Sequence, residues 1–469
     1  MCWRLSNLTF IQGAFYMNTP YSHALPRRLL LAGLIAATLP MAAQAATPTL
    51  ADSLAQMDAE QIGNFIGRPG ARVRDNAQFE RMKTYLRSHY EGVVANHHFE
   101  LSAGEVFDCV DALTQPGARR HGLTQANWVS KPSMLPAEPM AEASDADHER
   151  GAQERHQRDP GIFLSAASAD VDAEGHAKSC AKGTIPMKRL TLPKLAAFET
   201  LEHFRNKRGQ VGNGENALAS VHEYAHAYQS VANWGAESTL NIWKSFTELP
   251  SEFSLSQIWV VGGSPVETIE AGWQVYPNRV SSHKSDAHLF IYSTQDGYVN
   301  TGCYDLTCDD FVQTNSDVAI GGYYTNHSQV NGTQYAQKIL IYKDGTLGHW
   351  WIKVGDVYAG YYPRTLYDTS GIRNQAAKVD FGGEIINSSP SGRHTKTDMG
   401  SGYKPASGAG YAAYQRTIRY VNTSNVYSTP SLTESRTKSA CYDIDVSTST
   451  GTWKTYFYFG GEGYGTGCP

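Results

Sequence analysis

Two glutamates are the residues of this chain whose surroundings most favour chemistry. Glu270 lies in the run IEAGWQV at 269–275, and Glu384 lies in the run FGGEIIN at 381–387. A carboxylate between apolar strand residues is costly to bury unless it is hydrogen-bonded or shares a proton. Two such carboxylates facing each other would suit acid and base chemistry on a water molecule. For either glutamate alone, an ordinary buried carboxylate bonded to the backbone or to an arginine remains an alternative.

Both runs have the composition of β-strands, and strand alternation decides which residues share a face with each carboxylate. The residues predicted on these faces are Glu270, Gly272, Gln274 and Tyr276 in the first run and Gly382, Glu384 and Ile386 in the second. A glycine two residues from a carboxylate would leave the face open to a peptide backbone, although a bulge or sheet bend explains it equally well. Gln274 is a candidate donor to a tetrahedral oxyanion, and a glutamine bonded to the backbone is the alternative.

The second half of the chain has the composition and turn spacing of an all-β protein. Short runs rich in Tyr, Trp, Val, Ile and Thr alternate with Gly, Asn, Asp and Ser, which predicts an antiparallel sandwich. The predicted strands are 256–261, 270–276, 288–293, 317–321, 335–342, 349–354, 357–361, 418–421 and 452–459.

The first half is predicted to be partly helical and partly disordered. Asp75 is a predicted cap of a helix that runs to about Gly92. The apolar residues that recur there at three- and four-residue steps are Phe79, Met82, Leu86, Tyr90 and Val93. They predict the core face of a small helical unit. Residues 115–160 are rich in Pro, Ala and charged side chains with almost no periodicity, which predicts a segment that does not order.

Several sequence blocks between residues 220 and 469 together resemble the neprosin family. The blocks occur in the family's order and lie at 251–260, 269–275, 302–308, 348–351, 382–387, 399–402 and 441–443. Such a series is more specific than a single motif. The resemblance implies a two-sheet, jelly-roll-like sandwich and a glutamic peptidase that cuts after proline at acidic pH. It also places Glu270 and Glu384 at the positions of the family's two catalytic glutamates.

The resemblance leads to expectations about the rest of the site. Two close carboxylates would share a proton and titrate as a unit, so activity is predicted to be bell-shaped on the acid side of neutrality. Aromatic side chains could stack on a proline ring, with a place in the core as the alternative for each. The aromatic candidates are Trp273, Tyr276, Trp350 and Trp351. The implied partners are proline-containing peptides and proteins, and no cofactor or metal is expected.

The first 45 residues have the pattern of a signal peptide. Arginines in 26–28 precede an apolar run over 29–43, and small residues precede a predicted cleavage point after Ala45. Met17 is an alternative start, because residues 1–16 add nothing to the pattern. The apolar run is short for a membrane span. We therefore expect an exported protein, periplasmic or extracellular, with no membrane segment in its mature form.

Six of the seven cysteines follow the predicted signal peptide, and an even number in an exported chain predicts disulfides. Free buried thiols are the alternative. The expected pairs, of which the first two are implied by the resemblance and the third is the remainder, are Cys303–Cys308, Cys441–Cys468 and Cys109–Cys180. No Cys-x-x-Cys motif is present, which argues against a zinc site of that kind. The net charge of −5, with 18 % charged residues and no basic stripe, does not indicate nucleic-acid binding.

The chain is long enough for two domains after the signal peptide. We predict a propeptide with its linker at 46–215 and a catalytic domain at 216–469. The block 179–186 resembles the end of a neprosin propeptide, and the polar, glycine-rich run 205–214 is suited to proteolytic nicking. The expectation is a bacterial-type secreted zymogen whose own propeptide is its intramolecular inhibitor.

Other interpretations remain open on sequence alone. The motif H-E-x-x-H at 222–226 would hold zinc between His222 and His226 on a helix, with Glu223 as base. The same residues also alternate as in a strand, and no convincing third ligand follows. A two-carboxylate glycoside hydrolase and a lectin-like binding module are further alternatives for a β-sandwich.

Overall fold

The structure of the chain is a computed structural model that describes residues 46–102, 104–139, 160–164, 170–207 and 221–469. The predicted signal peptide, with Met17, lies outside the described residues. We call the described residues up to 207 the N-terminal region and residues 221–469 the C-terminal region. Residues 46–469 belong to one compact unit, so the two regions pack together rather than forming separate bodies.

The α-helices of the described residues all lie in the N-terminal region. They are α1 (Leu50–Ala59), α2 (Asn76–Tyr90), α3 (Pro116–Arg120), α4 (Leu192–Ala196) and α5 (Leu201–Arg205). Short 3-10 helices are found at Ile62–Asn64, Pro277–Arg279, Arg364–Leu366, Pro390–Gly392 and Pro405–Ser407. None of the helices in the described part of the chain has the length and apolar character needed to cross a membrane.

Helix α2 begins where the sequence predicts. Oδ1 of Asp75 accepts a hydrogen bond from the N–H of Ala77 at 3.0 Å, which satisfies one of the free donors of the first turn. The helix buries the predicted apolar stripe, whose helical members are Phe79, Met82, Leu86 and Tyr90. The predicted cap and core face are therefore confirmed.

The strands of the described residues pair in antiparallel ladders. They are β1 (Ala95–Ser102), β2 (Glu105–Asp111), β3 (Thr184–Lys188), β4 (Val221–Asn233), β5 (Gly235–Asn241), β6 (Ser254–Gly262), β7 (Glu267–Val275), β8 (His288–Thr294), β9 (Cys303–Tyr304), β10 (Val312–Gln313), β11 (Ala336–Lys343), β12 (Trp350–Val354), β13 (Val357–Tyr362), β14 (Ala376–Asn387), β15 (Ala413–Val421), β16 (Tyr427–Ser428), β17 (Thr433–Arg436), β18 (Asp443–Thr448) and β19 (Thr455–Gly460).

Two large sheets form a sandwich in the C-terminal region. The seven-stranded sheet has the order β17-β4-β14-β6-β7-β8-β9. The nine-stranded sheet has the order β10-β13-β12-β11-β5-β15-β19-β18, with β16 paired to β15. Strands β5 and β11 of the second sheet pack on β6 and β7 of the first. The predicted all-β, antiparallel two-sheet architecture is confirmed.

Alternation along β7 separates the two faces of the seven-stranded sheet. Ile269, Ala271, Trp273 and Val275 are fully buried in the core between the sheets. The residues between them, which include Glu270, therefore lie on the opposite face. We call this the outer face, and the N-terminal region lies over part of it.

Three expectations differ from the structure. The predicted strand 317–321 is wrong, because Val318 forms only an isolated bridge to Phe163 and a turn follows. Strands β1, β2 and β3 form a three-stranded sheet in a region predicted to be helical or disordered. Within the segment predicted not to order, residues 115–139 are packed on the sandwich by polar contacts and by apolar side chains such as Trp128. Residues 140–159 lie outside the described residues.

Gln115 shows how that segment is held. Its Nε2 donates to the carbonyl of Gln313 and its Oε1 accepts from the N–H of the same residue, both at 2.8 Å. Further along, Oγ of Ser133 donates to Oδ1 of Asp344 at 2.8 Å. Such specific side-chain contacts leave no hydrophobic periodicity for sequence reasoning to detect.

All three expected disulfides are present in the structure, including the pair assigned by elimination. The bond Cys109–Cys180 joins β2 to the segment before β3 in the N-terminal region. The other two lie in the C-terminal region, where Cys441–Cys468 ties the end of the chain to the segment before β18.

A buried ion pair anchors the N-terminal region. The guanidinium of Arg189 makes two hydrogen bonds to Asp108, one of them 2.7 Å long, and the two side chains are only 2 % and 1 % exposed. The same guanidinium donates to the carbonyl of Pro48 at 2.5 Å, which ties down the first described residues.

We expect Arg189→Met to lower the free energy of unfolding by about 3–5 kcal/mol, because it leaves the Asp108 charge buried without a partner. Urea unfolding of the full-length protein at pH 7 measures the loss. The matched control is Arg81→Met, which removes an exposed pair with Glu202 and should cost less than about 1 kcal/mol. Equal losses in the two variants would contradict the assignment of Arg189 as an anchor.

Candidate active site

The outer face of the seven-stranded sheet brings the two glutamates of the sequence analysis together. Strand β6 lies between β14, which carries Glu384, and β7, which carries Glu270. In the sheet, Glu384 pairs with Leu255 of β6, and Glu270 pairs with Trp259 of the same strand. The two glutamates are therefore offset diagonally across β6, with one intervening row of residues, that of Gln257, on the same face.

A row that contains two glycines separates the two glutamates. In this row Gly382 of β14 and Gly272 of β7 flank Gln257 of β6. An added Cβ at Gly272 would collide with the carbonyl oxygen of Ser256, and Gly382 has φ of +154°, which favours glycine. Because Gly382 and Gly272 have no side chains, the two carboxylates can lean toward each other over Gln257.

The ammonium group of Lys207 occupies the space between the carboxylates. Nζ lies 2.5 Å from Oε2 of Glu270 and 2.7 Å from Oε2 of Glu384. These two distances limit the separation of the two oxygens to about 5 Å. All three side chains are almost completely buried, with exposed fractions of 3 % or less. The charges therefore compensate one another within an interior from which water is excluded.

Further hydrogen bonds orient each carboxylate. Oε1 of Glu270 accepts from the hydroxyls of Thr268 at 3.0 Å and Tyr298 at 2.5 Å. On the other side, Nδ1 of His222 lies 2.5 Å from Oε1 of Glu384. Nε2 of Gln257 donates to Oε2 of Glu384 at 3.3 Å. Every carboxylate oxygen of the pair thus has a partner.

The cation controls the protonation of Glu384. Burial by itself raises the pKa of Glu384, but the charge of Lys207 and the hydrogen bond from His222 outweigh it and lower the pKa to about 2. Burial likewise lowers the pKa of Lys207, but the two carboxylates outweigh it and leave the pKa above its usual value. The expectation of a proton shared between the glutamates does not describe this structure, because an ammonium group lies where the shared proton would act.

The segment that carries Lys207 crosses the outer face through several contacts. Nη1 of Arg279 donates to the carbonyl of Phe204 at 2.6 Å, and its guanidinium lies 4.7 Å from the centre of the Phe204 ring. Nδ2 of Asn206 donates to the carbonyl of Tyr298 at 2.6 Å. Residues 204–207 thus reach the carboxylates as an ordered stretch whose backbone is held by the C-terminal region.

The structure separates the other predicted site residues into two groups. Trp273 and Trp350 are fully buried, and their indole N–H groups donate to the backbone carbonyls of Asn241 and Ile372 at 2.9 and 3.0 Å. Trp351 is fully buried as well. Trp273 and Trp350 belong to the main core, whereas Trp351 lies in a separate cluster against which residues 123–129 of the N-terminal region pack. Stacking on a substrate ring is therefore not available to these indoles in this structure.

Gln274 and Tyr276 lie on the outer face as predicted, but neither bonds to a carboxylate of the pair in the described contacts. The amide of Gln274 donates to the hydroxyl of Tyr304 at 3.4 Å. The ring of Tyr276 packs against Phe198 of the N-terminal region and Phe253, with ring centres 6.2 and 5.7 Å away. Both residues therefore lie beside the glutamates, under the N-terminal region.

Sequence reasoning missed several residues that contact the glutamates. They are Lys207, Thr268, Tyr298, Gln257 and His222. Alternation in the predicted strand 256–261 could have placed Gln257 on the face of Glu384 once the strand order was known. Lys207 had no such signal, because it lies in a polar run interpreted as a linker.

The motif H-E-x-x-H lies on strand β4 and not on a helix. Nδ1 of His226 lies 2.7 Å from Oδ1 of Asp380, whereas His222 contacts Glu384. Glu223 points to the opposite face, where its Oε2 lies 3.0 Å from Nε2 of His394. The imidazoles of His222 and His226 thus contact different carboxylates, and Glu223 lies on the face opposite to both imidazoles. The strand alternative is confirmed.

Comparison with known proteins adds two findings. Residues 250–462 match the family model described as Neprosin. A solved structure described as Scytalido-glutamic peptidase with a peptide-based transition-state analogue aligns over 52 % of this chain and 99 % of its own. The two are 8 % identical with a TM-score of 0.28, which is too low to establish a shared fold.

We expect Lys207→Met to destabilise the full-length protein most strongly at neutral pH, by about 3–5 kcal/mol, because two carboxylates then face each other without a cation. The folded-state pKa of Glu384 is depressed, so its stabilising effect is present above pH 4.5 and is lost as the pH falls toward about 2. The difference between variant and parent should therefore shrink on acidification. Urea unfolding at pH 7 and pH 3 measures it.

Lys338→Met is the control for that measurement, since Lys338 pairs with a 90 % exposed Asp356. It should cost less than about 1 kcal/mol at both pH values. A loss in Lys207→Met that does not change with pH would contradict the described role of Glu384.

Proposed function

On the premise that residues 250–462 match the Neprosin family model, we propose that this chain is a glutamic peptidase that hydrolyses peptide bonds after proline. The catalytic pair is Glu270 and Glu384. The observation that carries the proposal is the convergence of these two carboxylates, from strands separated by β6, on one small buried volume. The proline preference and the acidic working range come from the family resemblance.

The position of the Lys207 ammonium supports a role for the pair in activating water. An ammonium group and a water molecule are similar in size, and both donate hydrogen bonds to carboxylates. A water at this position would lie within hydrogen-bond reach of Oε2 of both Glu270 and Glu384. With the cation gone, two carboxylates this close would share one proton.

The reaction then uses one glutamate in each protonation state. The ionised carboxylate takes a proton from the water as it attacks the scissile carbonyl. The protonated carboxyl donates its proton to the leaving nitrogen when the C–N bond breaks. Thr268 and Tyr298 orient Glu270, and His222 and Gln257 orient Glu384, as their hydrogen bonds do here.

The N-terminal region acts as the propeptide of a zymogen. Lys207 occupies the water position, and residues 204–207 cover the outer face beside it. A peptide cannot reach the carboxylates while this segment is in place. Activation then requires a cut between Lys207 and the C-terminal region, and the predicted boundary near residue 215 lies outside the described residues. The disulfides accord with export to an oxidising compartment.

Acid should favour release of the N-terminal region. While the N-terminal region covers the glutamates, the pKa of Glu384 is depressed. Release of that region is therefore accompanied by proton uptake at Glu384 between about pH 4.5 and pH 2. Each unit of pH in this window can shift the equilibrium toward release by up to about tenfold.

Glu270→Gln and Glu384→Gln should each lower kcat on a proline-containing peptide by about 10²- to 10⁴-fold. The matched control is Asp380→Asn, which removes a carboxylate from the same strand and face as Glu384 but contacts His226 and Lys378 instead. The acid-activated enzyme is assayed at pH 4, and circular dichroism checks folding. Full activity in either glutamine variant would refute the catalytic pair.

The class of enzyme is tested by inhibitors and substrates. A glutamic peptidase should retain activity with a chelator, a serine reagent and a thiol reagent, whereas a zinc peptidase would lose activity with the chelator. In a series of peptides that differ only in the position of one proline, cleavage should occur only at the bond on the carboxyl side of that proline. Hydrolysis of polysaccharide, or sugar binding that survives the Glu270→Gln/Glu384→Gln double substitution, would instead support a carbohydrate-active sandwich.

Acid activation is tested by incubating the full-length protein at pH 3, 5 and 7 and following fragments by gel electrophoresis. Conversion should be fastest at pH 3 and should accompany the gain of activity. Lys207→Met should convert faster than the parent at pH 5, because the contact that closes the site is missing. A chain that stays full length while fully active would refute the zymogen.

A further inference from the structure

A second cluster of titratable side chains lies in the N-terminal region, away from the paired glutamates. It consists of His98 on β1 and of Glu174 and His176 in the turn before β3. One nitrogen of each imidazole and one oxygen of the carboxylate lie within 4.8 Å of one another. Neither the family match nor the proposed peptidase activity uses these residues.

The two imidazoles present nitrogen atoms without partners. Nε2 of His98 and Nδ1 of His176 are buried, and neither forms a hydrogen bond. Nδ1 of His176 lies 3.3 Å from Oδ2 of Asp172 and 3.8 Å from Oε2 of Glu174 without the geometry of a hydrogen bond to either. A buried polar atom left unpaired is destabilising. These two imidazole nitrogens, which lie beside carboxylates, are therefore available to bind a ligand.

We propose that His98, Glu174 and His176 bind a divalent transition-metal ion of the zinc type. Two imidazoles and one carboxylate are a common protein ligand set for zinc, which prefers nitrogen at about 2.0–2.1 Å and carboxylate oxygen at about 2.0–2.2 Å. Calcium and magnesium prefer oxygen ligands, so imidazole nitrogens disfavour them.

The cluster can contract to the required distances. Ligands about 2.1 Å from a tetrahedral ion lie roughly 3.4 Å from one another, which is closer than the present upper limit of 4.8 Å. His176 and Glu174 have side chains that are 35 % and 28 % exposed and lie on a turn. Their rotation brings the ligand atoms together without a change in the strand that carries His98.

Asp172 holds the turn against β1. Its Oδ1 accepts from the N–H groups of Glu174 and His176 at 2.9 and 2.8 Å. Its Oδ2 accepts from the N–H of Glu100 on β1 at 2.9 Å. This carboxylate therefore positions two of the ligands relative to the third, as outer carboxylates commonly do around metal-binding histidines.

A bound ion would join three separate segments of the N-terminal region. His98 belongs to β1, and His176 and Glu174 belong to the turn. Oε1 of Glu174 also accepts hydrogen bonds from the N–H and the hydroxyl of Thr47, at 2.5 and 2.7 Å. The ion would thus stabilise the fold of this region, and the proposal does not depend on the peptidase activity.

The test uses full-length protein without a histidine tag, stripped with a chelator and dialysed against micromolar Zn²⁺. Elemental analysis should find one retained zinc per chain at this cluster. Titration calorimetry should show that His98→Ala and His176→Ala each weaken zinc affinity at least tenfold. His97→Ala is the matched control, because this neighbouring imidazole already bonds the carbonyl of Ala177 at 2.8 Å; it should bind zinc like the parent.

Zinc should raise the thermal midpoint of the parent and of His97→Ala but not that of His98→Ala or His176→Ala. Glu174→Gln keeps the test informative should a histidine variant misfold, since it preserves side-chain size and should also weaken binding. Calcium should give no shift. Failure of the parent to retain zinc, or equal affinity in the parent, His98→Ala and Glu174→Gln, would overturn the proposal.

Discussion

The contact between the Lys207 ammonium and the carboxylates of Glu270 and Glu384 is the interaction on which the full-length structure, with the N-terminal region over the glutamates, depends. Two carboxylates within about 5 Å repel each other, and burial makes this repulsion stronger. One cation between them offsets this repulsion and lowers the pKa of Glu384. The same cation occupies the position that the proposed mechanism assigns to the reactive water. Stability of the full-length chain and latency of the proposed enzyme therefore have one physical cause.

The sheet provides the geometry for that contact. Antiparallel pairing of β14, β6 and β7 puts both glutamates on the outer face, and their diagonal offset would keep the carboxylates apart if a side chain stood between them. Gly272 and Gly382 place no side chain in that space, which the Lys207 ammonium occupies. Close approach of neighbouring strands also favours glycine at both positions. The glycines thus serve the packing of the sheet and the convergence of the carboxylates together.

The N-terminal region combines strong internal anchoring with an electrostatic contact to the paired glutamates. The Arg189–Asp108 pair and the Cys109–Cys180 disulfide hold it together, and the proposed metal site would add a third link. Its contact with the glutamates instead weakens as protons are taken up. The strands that carry the carboxylates belong to the sandwich itself, so they can keep their positions when this contact is lost.

Sequence alone determined the local features of this protein. Alternation put Glu270 and Glu384 on defined strand faces, Asp75 and the apolar stripe located α2, and composition indicated an all-β C-terminal region, because these signals come from neighbouring residues. Tertiary structure decided which faces meet. The strand order β14-β6-β7, the approach of Lys207 and the burial of Trp273 and Trp350 in the core depend on contacts between residues far apart in the chain, which local periodicity does not encode.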